Sequence, residues 1–102
     1  MISKSFYQST ISEFLEENTL KILGKLVENN PFPLETTQKS AWIKQIEILK
    51  RELNKSHNLR GDIYFEFSIP RMGKRVDVIL FICDSVFVIE FKTGSKTYDK
   101  YA

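Results

Sequence analysis

Cysteine, histidine and tryptophan each occur once in this 102-residue chain, proline three times and glycine four times. A lone cysteine, Cys83, excludes an internal disulfide framework and any zinc site built on paired cysteines. His57 stands in a polar stretch with no second histidine or cysteine nearby, so it is a poor metal ligand. No apolar run approaches the ~18 residues a membrane-spanning helix needs. No secretory leader is recognisable, so the expected setting is the cytoplasm with no membrane partner. No P-loop and no nucleophilic Ser–His–Asp set is present either, which leaves most enzyme classes without support. Charge of one sign is not in excess: 15 Lys and Arg face 13 Asp and Glu, a net +2. Nucleic-acid binding therefore has to be argued from where the charges sit.

What is present suits one small folded domain. Hydrophobic residues reach 42% against 27% charged, an ordinary globular balance rather than a disordered one. Residues 1–60 are expected to be helical. Thr10-x-x-Glu13 fits a capping box ahead of Phe14 and Leu15. A second helix is expected from Asn18 or Thr19, with Ile22, Leu23, Leu26 and Val27 at helical spacing. Asn29-Asn30-Pro31 stops it, and Pro33 keeps the chain extended. The strongest helix signal runs from Thr37 to Asn54, with Thr36 or Thr37 as cap. Trp42, Ile43, Ile46, Leu49 and Leu53 form its apolar stripe, and Lys39, Lys44, Glu47, Lys50 and Arg51 its polar sides. Trp42 is expected to be a core anchor.

After Gly61 the period changes. Ile63–Ile69 is aromatic and β-branched and ends at Pro70, so a strand is expected there. A turn at Arg71–Lys74, a strand over Arg75–Ile82, a turn at Asp84-Ser85 and a strand over Val86–Lys92 complete residues 61–94 as a three-stranded antiparallel unit. The apolar runs Val78–Cys83 and Val86–Ile89 predict strands covered on both faces, with Cys83 a buried small hydrophobe. Residues 95–102 are expected to be a loop and the opening of a further helix. The fold class that follows is α/β of the α+β type, with N-terminal helices packed on a small mixed sheet.

Two acids interrupt these apolar strands: Asp77 between Val76 and Val78, and Glu90 between Ile89 and Phe91. A buried carboxylate needs a partner. Glu90 and Lys92, two apart, share a strand face, and Asp77 on the neighbouring strand can lie across from Glu90. Two carboxylates ~4 Å apart repel by roughly 4 kcal/mol at an effective dielectric of ~20. Two arrangements relieve that repulsion. Lys92 can bridge Asp77 and Glu90 as a structural ion pair. Alternatively, a divalent cation such as Mg²⁺ can take both carboxylates at ~2.1 Å together with waters and a substrate phosphate. In the second case Lys92 can position a water and offset charge on a phosphorane-like transition state.

The stretch from Tyr64 through Pro70-Arg71-Met72-Gly73-Lys74-Arg75-Val76-Asp77 to Ile79, followed by Val88-Ile89-Glu90-Phe91-Lys92-Thr93-Gly94, resembles the PD-(D/E)xK nuclease module at the N-terminus of certain bacterial superfamily-1-like DNA/RNA helicases. The helix Gln38…Ala41-Trp42…Ile46…Leu49 is similar to the one that precedes the sheet in those proteins. The resemblance implies a restriction-endonuclease-like fold and metal-dependent phosphodiester hydrolysis of DNA, with RNA as a further substrate. It implies Asp77 and Glu90 as ligands of Mg²⁺ or Mn²⁺, and Asp77, Glu90 and Lys92 as the catalytic set. A third acid is expected to be either Glu47 on the long helix or Glu66 on the first strand of the sheet. The family pattern continues past its ExK strand with a helix bearing Gln and Tyr and then another strand. The chain is therefore expected to be a single nuclease-like domain truncated at its C-terminus, with a second copy covering the exposed sheet. The alternative is a catalytically inactive module that binds nucleic acid or docks a partner domain.

Basic residues flank the strand ends. Arg71, Lys74, Arg75 and Lys96 are candidates for a phosphate-contacting rim, which would weaken with salt. A solvated turn and tail is the other reading of the same residues, and Arg75 can instead pair with Glu66.

Overall fold

The computed structural model describes residues 5–56, 59–71 and 73–91. Seven elements follow in order: β1 (Tyr7–Thr10), α1 (Ile11–Glu16), α2 (Thr19–Asn29), α3 (Thr36–Leu53), β2 (Gly61–Ile69), β3 (Lys74–Ile82) and β4 (Ser85–Ile89). The strands form one antiparallel sheet in the order β1-β2-β3-β4. The mixed α/β class expected from the sequence is met. The mixed sheet is not, because every described strand pair is antiparallel, and there are four strands rather than three.

The added strand is β1, which lies in a stretch expected to be helical. Tyr7-Gln8-Ser9-Thr10 holds one apolar residue and shows no alternation of its own. Its strand state comes from pairing, with Tyr7 opposite Phe65 and Thr10 opposite Asp62. The Phe6 amide donates to the Phe65 carbonyl at 3.0 Å, and the Asn29 side chain donates to the Phe6 carbonyl at 2.8 Å. Local sequence carries no such information.

The helix starts follow the sequence more closely. Thr10 caps α1, its hydroxyl accepting from the Glu13 amide at 3.1 Å and donating to the Glu13 carboxylate at 2.9 Å. Asn18 caps α2 through the Leu20 amide at 2.8 Å. Glu35, not Thr36 or Thr37, occupies the cap position of α3, with no side-chain bond to the helix. The short α1 is held at its far end by Lys50 of α3. The Lys50 ammonium donates to the carbonyls of Phe14 (2.9 Å), Leu15 (3.3 Å) and Glu17. Burial lowers the Lys50 pKa, and the nearby Glu17 charge opposes that shift.

The core is a single cluster. Ile11, Phe14, Ile22, Leu26, Trp42 and Ile46 from the helices close on Ile63, Phe65, Val78 and Leu80 of the sheet. Trp42 is the core anchor its stripe predicted, 1% exposed and edge-on to Phe6 at 6.4 Å. Cover on both faces holds for Val78, Ile79 and Leu80 of β3, all buried, but not for Phe81 or for β4. Phe81, Val86 and Val88 stay exposed on the face away from the helices, and Phe87 is 48% exposed. There the apolar runs reflect aromatic packing on an open face instead, with Tyr64 edge-on to Phe81 at 5.5 Å.

The second hairpin turns one residue earlier than expected. Ile82 pairs with Ser85, so Cys83-Asp84 is the loop. Cys83 has φ +56° and is exposed, not buried. A two-residue hairpin favours left-handed backbone, and that geometry carries the thiol outward. Residues 92–102, with Lys92, Gly94 and Lys96, lie outside the described residues, as does His57.

Gly61, at the start of β2, lies close against the β3 backbone. A Cβ there would collide with the Phe81 carbonyl. Gly61→Ala is therefore expected to destabilise the fold by about 1–3 kcal/mol in chemical denaturation.

Candidate functional site

Two registers place the acids. Phe65 pairs with Val78 and Phe67 with Val76, which sets Glu66 opposite Asp77. On the other side of β3, Val78 pairs with Ile89, and the next step of the same ladder sets Asp77 beside Glu90. The two registers therefore bring the positions of Glu66, Asp77 and Glu90 next to one another, with Asp77 in the middle and Glu90 just past the end of β4. The expected neighbourhood of Asp77 and Glu90 is present.

Glu66 has φ +53°, left-handed backbone that a non-glycine residue rarely adopts. It also breaks the alternation of β2. Tyr64 and Phe67, three apart, meet edge-on at 5.6 Å, where strict alternation would send them to opposite faces. Such conformations cost about 1–3 kcal/mol and persist only when the surroundings enforce them. Trp42 is part of that enforcement, its indole N–H donating to Glu66 Oε2 at 3.5 Å.

The middle carboxylate is held as well. The Phe91 amide donates to Asp77 Oδ2 at 2.8 Å, tying the chain after β4 to β3. Burial pushes the Asp77 pKa up, the Phe91 amide opposes this, and the Glu90 charge adds to it. Burial likewise pushes Glu66 up, and the Asp77 charge adds to the shift. The Trp42 indole and the Arg75 charge pull the other way. Two half-buried acids thus resist ionisation in the same place, while Glu90 is exposed.

Of the two rivals for third acid, Glu66 lies beside Asp77. Glu47 is exposed on α3, and its neighbour Gln45 is buried with Oε1 unpaired among the described residues. Arg71, Lys74 and Arg75 are exposed at the β2–β3 turn and the start of β3. Arg75 forms no ion pair with Glu66. Its guanidinium instead lies 4.6 Å from the Phe6 ring centre and 5.6 Å from that of Phe32. Lys92 and Lys96 fall outside the described residues.

The sequence reading missed the link from Trp42 to Glu66. The available signal was an indole N–H in an otherwise apolar stripe, which must find an acceptor when buried. All three acids offer oxygen, the donor type suited to Mg²⁺ or Mn²⁺. Among the described residues, no three acids, histidines or cysteines converge closely enough to form a ready-made metal group. Comparison with protein-family models, curated proteins and solved structures gives no match.

Raised carboxylate pKa values fix the sign of a pH effect. The folded state keeps its protons on Asp77 and Glu66 to higher pH than the unfolded chain does. Their favourable contribution is complete below the ordinary carboxylate range and is lost as pH rises through the folded pKa values. Asp77→Asn retains an oxygen for the Phe91 amide and removes the charge. It is expected to raise the melting temperature at neutral pH, with the gain vanishing at acid pH, as thermal melts across that range will read out.

Proposed function

We propose that this chain carries a metal-dependent nuclease site that hydrolyses phosphodiester bonds in DNA, with RNA as a further substrate. The observation that carries the reading is the row Glu66–Asp77–Glu90, with its central carboxylate oriented by the Phe91 amide. The resemblance of residues 64–94 to the PD-(D/E)xK module of helicase-associated nucleases supports it, as do Arg71, Lys74 and Arg75 beside the row.

Asp77 and Glu90 would hold Mg²⁺ or Mn²⁺, and Glu66 is the third acid. A divalent ion bound there supplies Lewis-acid polarisation of the phosphate and lowers the pKa of an attacking water. The chain's own groups do the rest. Asp77, pressed toward its neutral form by burial, is held as an acceptor by the Phe91 amide. A carboxylate kept in a repulsive row gains most from a cation, because the same burial that raises its pKa strengthens its attraction to positive charge. By the same resemblance, Lys92 would hold a water for attack and offset negative charge on the phosphorane-like transition state. Arg71, Lys74 and Arg75 bind flanking phosphates without regard to sequence.

A second reading, a module that binds nucleic acid without cutting it, rests on the exposed Arg71, Lys74 and Arg75, which contact phosphates with or without a metal. Salt-sensitive DNA binding with no cleavage at any divalent ion would decide for it.

The nuclease reading predicts Mg²⁺- or Mn²⁺-dependent nicking of supercoiled DNA. Asp77→Asn and Lys92→Ala should each lower the rate about 100-fold or more, while Glu47→Gln leaves it unchanged. Titration calorimetry should register Mn²⁺ binding to the native chain and lose it in Asp77→Asn. Equal nicking by the native chain and Asp77→Asn would end the proposal.

A further inference from the structure

Beside Glu66 lies a cleft of about 210 Å³, walled by the α2–α3 connection and the start of α3. Trp42, Glu66, Phe32, Arg75, Asn30 and Gln38 are among the residues that line it. Nothing in the proposed hydrolysis uses Phe32, Asn30 or Gln38.

The lining combines two chemistries. Phe32 is 59% exposed, on a segment where Pro31 and Pro33 flank it and restrict its backbone. A large ring left in water on a stiffened segment is a preformed stacking surface. Arg75 lies against the Phe6 and Phe32 rings and makes no hydrogen bond or ion pair among the described residues, so its N–H donors are uncommitted. The other chemistry is amide. Asn30 Oδ1 accepts from the Phe32 amide at 3.1 Å, which leaves its NH₂ to donate outward. Gln38 offers both a donor and an acceptor.

A ligand that uses all of this is flat, apolar on its faces and polar at its edge. A bare phosphate would leave Phe32 unused, and a purely apolar ligand would leave the amides unpaired. A nucleobase meets both demands, because unpaired bases stack on aromatic and guanidinium planes and bond along their edges. A base within a duplex has both faces stacked already and cannot enter. We propose that the cleft takes one unpaired nucleobase, making single-stranded nucleic acid the substrate class of the adjoining carboxylate row. In substrate class the proposal rests on the nuclease reading; in base binding it stands on the cleft. Glu66 belongs to both, so a seated base brings its own backbone to the row. Gln38 can present either its donor or its acceptor, so the cleft accepts bases of more than one kind.

Trp42, the chain's single tryptophan, is the probe. The full chain, with chelator present, is titrated with a short oligothymidylate, with an abasic strand of equal length and charge, and with duplex DNA. Oligothymidylate is expected to change Trp42 fluorescence and to bind on the order of tenfold tighter than the abasic strand. Phe32→Ala, with an unchanged circular dichroism spectrum, is expected to erase that preference while the residual, salt-sensitive binding remains. Equal affinity for the normal and abasic strands would overturn the cleft, as would a preference for duplex or a preference unchanged in Phe32→Ala. Cleavage with metal but without base preference would overturn the cleft and leave the carboxylate row standing. Base preference without cleavage at any divalent ion would support the cleft and remove the nuclease reading.

Discussion

The β2–β3 ladder is the constraint on which the rest of this structure depends. It keeps one register from Gly61–Ile82 to Ile69–Lys74, interrupted only at Glu66, whose backbone is left-handed. A slip of one position would turn Ile63, Phe65, Val78 and Leu80 out of the core and move Glu66 away from Asp77. The core and the acid row are therefore specified by the same pairing. The Phe91 amide extends that control past β4, because Glu90 arrives beside Asp77 only if the chain that follows is held.

Much of the sheet and the helices was legible because their signals are local. The α3 stripe and the two turns bracketing β3 are periodicities and turn residues, and Thr10 and Asn18 are caps with a mechanism. β1 was not legible, because its four residues become a strand only through partners on β2. Cys83 was misjudged because an apolar run cannot tell a buried strand from one that reaches its turn. The exposed face at Phe81 and along β4 was misjudged for a related reason: rings that cover each other look, in sequence, like rings covered by helices. Of the site, Asp77 and Glu90 stood out as charges among β-branched neighbours. Glu66 was one of two rivals, and it was the register, not the residue type, that separated it from Glu47. No local pattern announces a left-handed glutamate, and none announced that Trp42 would be its partner.

The electrostatics are divided between two regions that answer opposite needs. Around α1 and α2 the charges are paired: Lys25 meets Glu17 at 2.8 Å, and Glu17 also accepts from the Tyr7 hydroxyl at 2.7 Å, which with burial pushes the phenol pKa upward. Hydrogen bonds from Lys25 and Tyr7 hold Glu17 below the usual carboxylate range. At the acid row the balance is reversed, and both half-buried carboxylates are held above their ordinary pKa values. The first arrangement stabilises a fold. The second opposes it once the carboxylates ionise.

The ammonium of Lys50, set among the carbonyls that end α1, has a consequence for the order in which the molecule can assemble. A six-residue helix is too short to persist alone in water, and β1 has no partner until β2 exists. β1 and α1 must therefore wait for both a lysine on α3 and the β2 strand that follows it, and they stay open to proteolysis until both have been made.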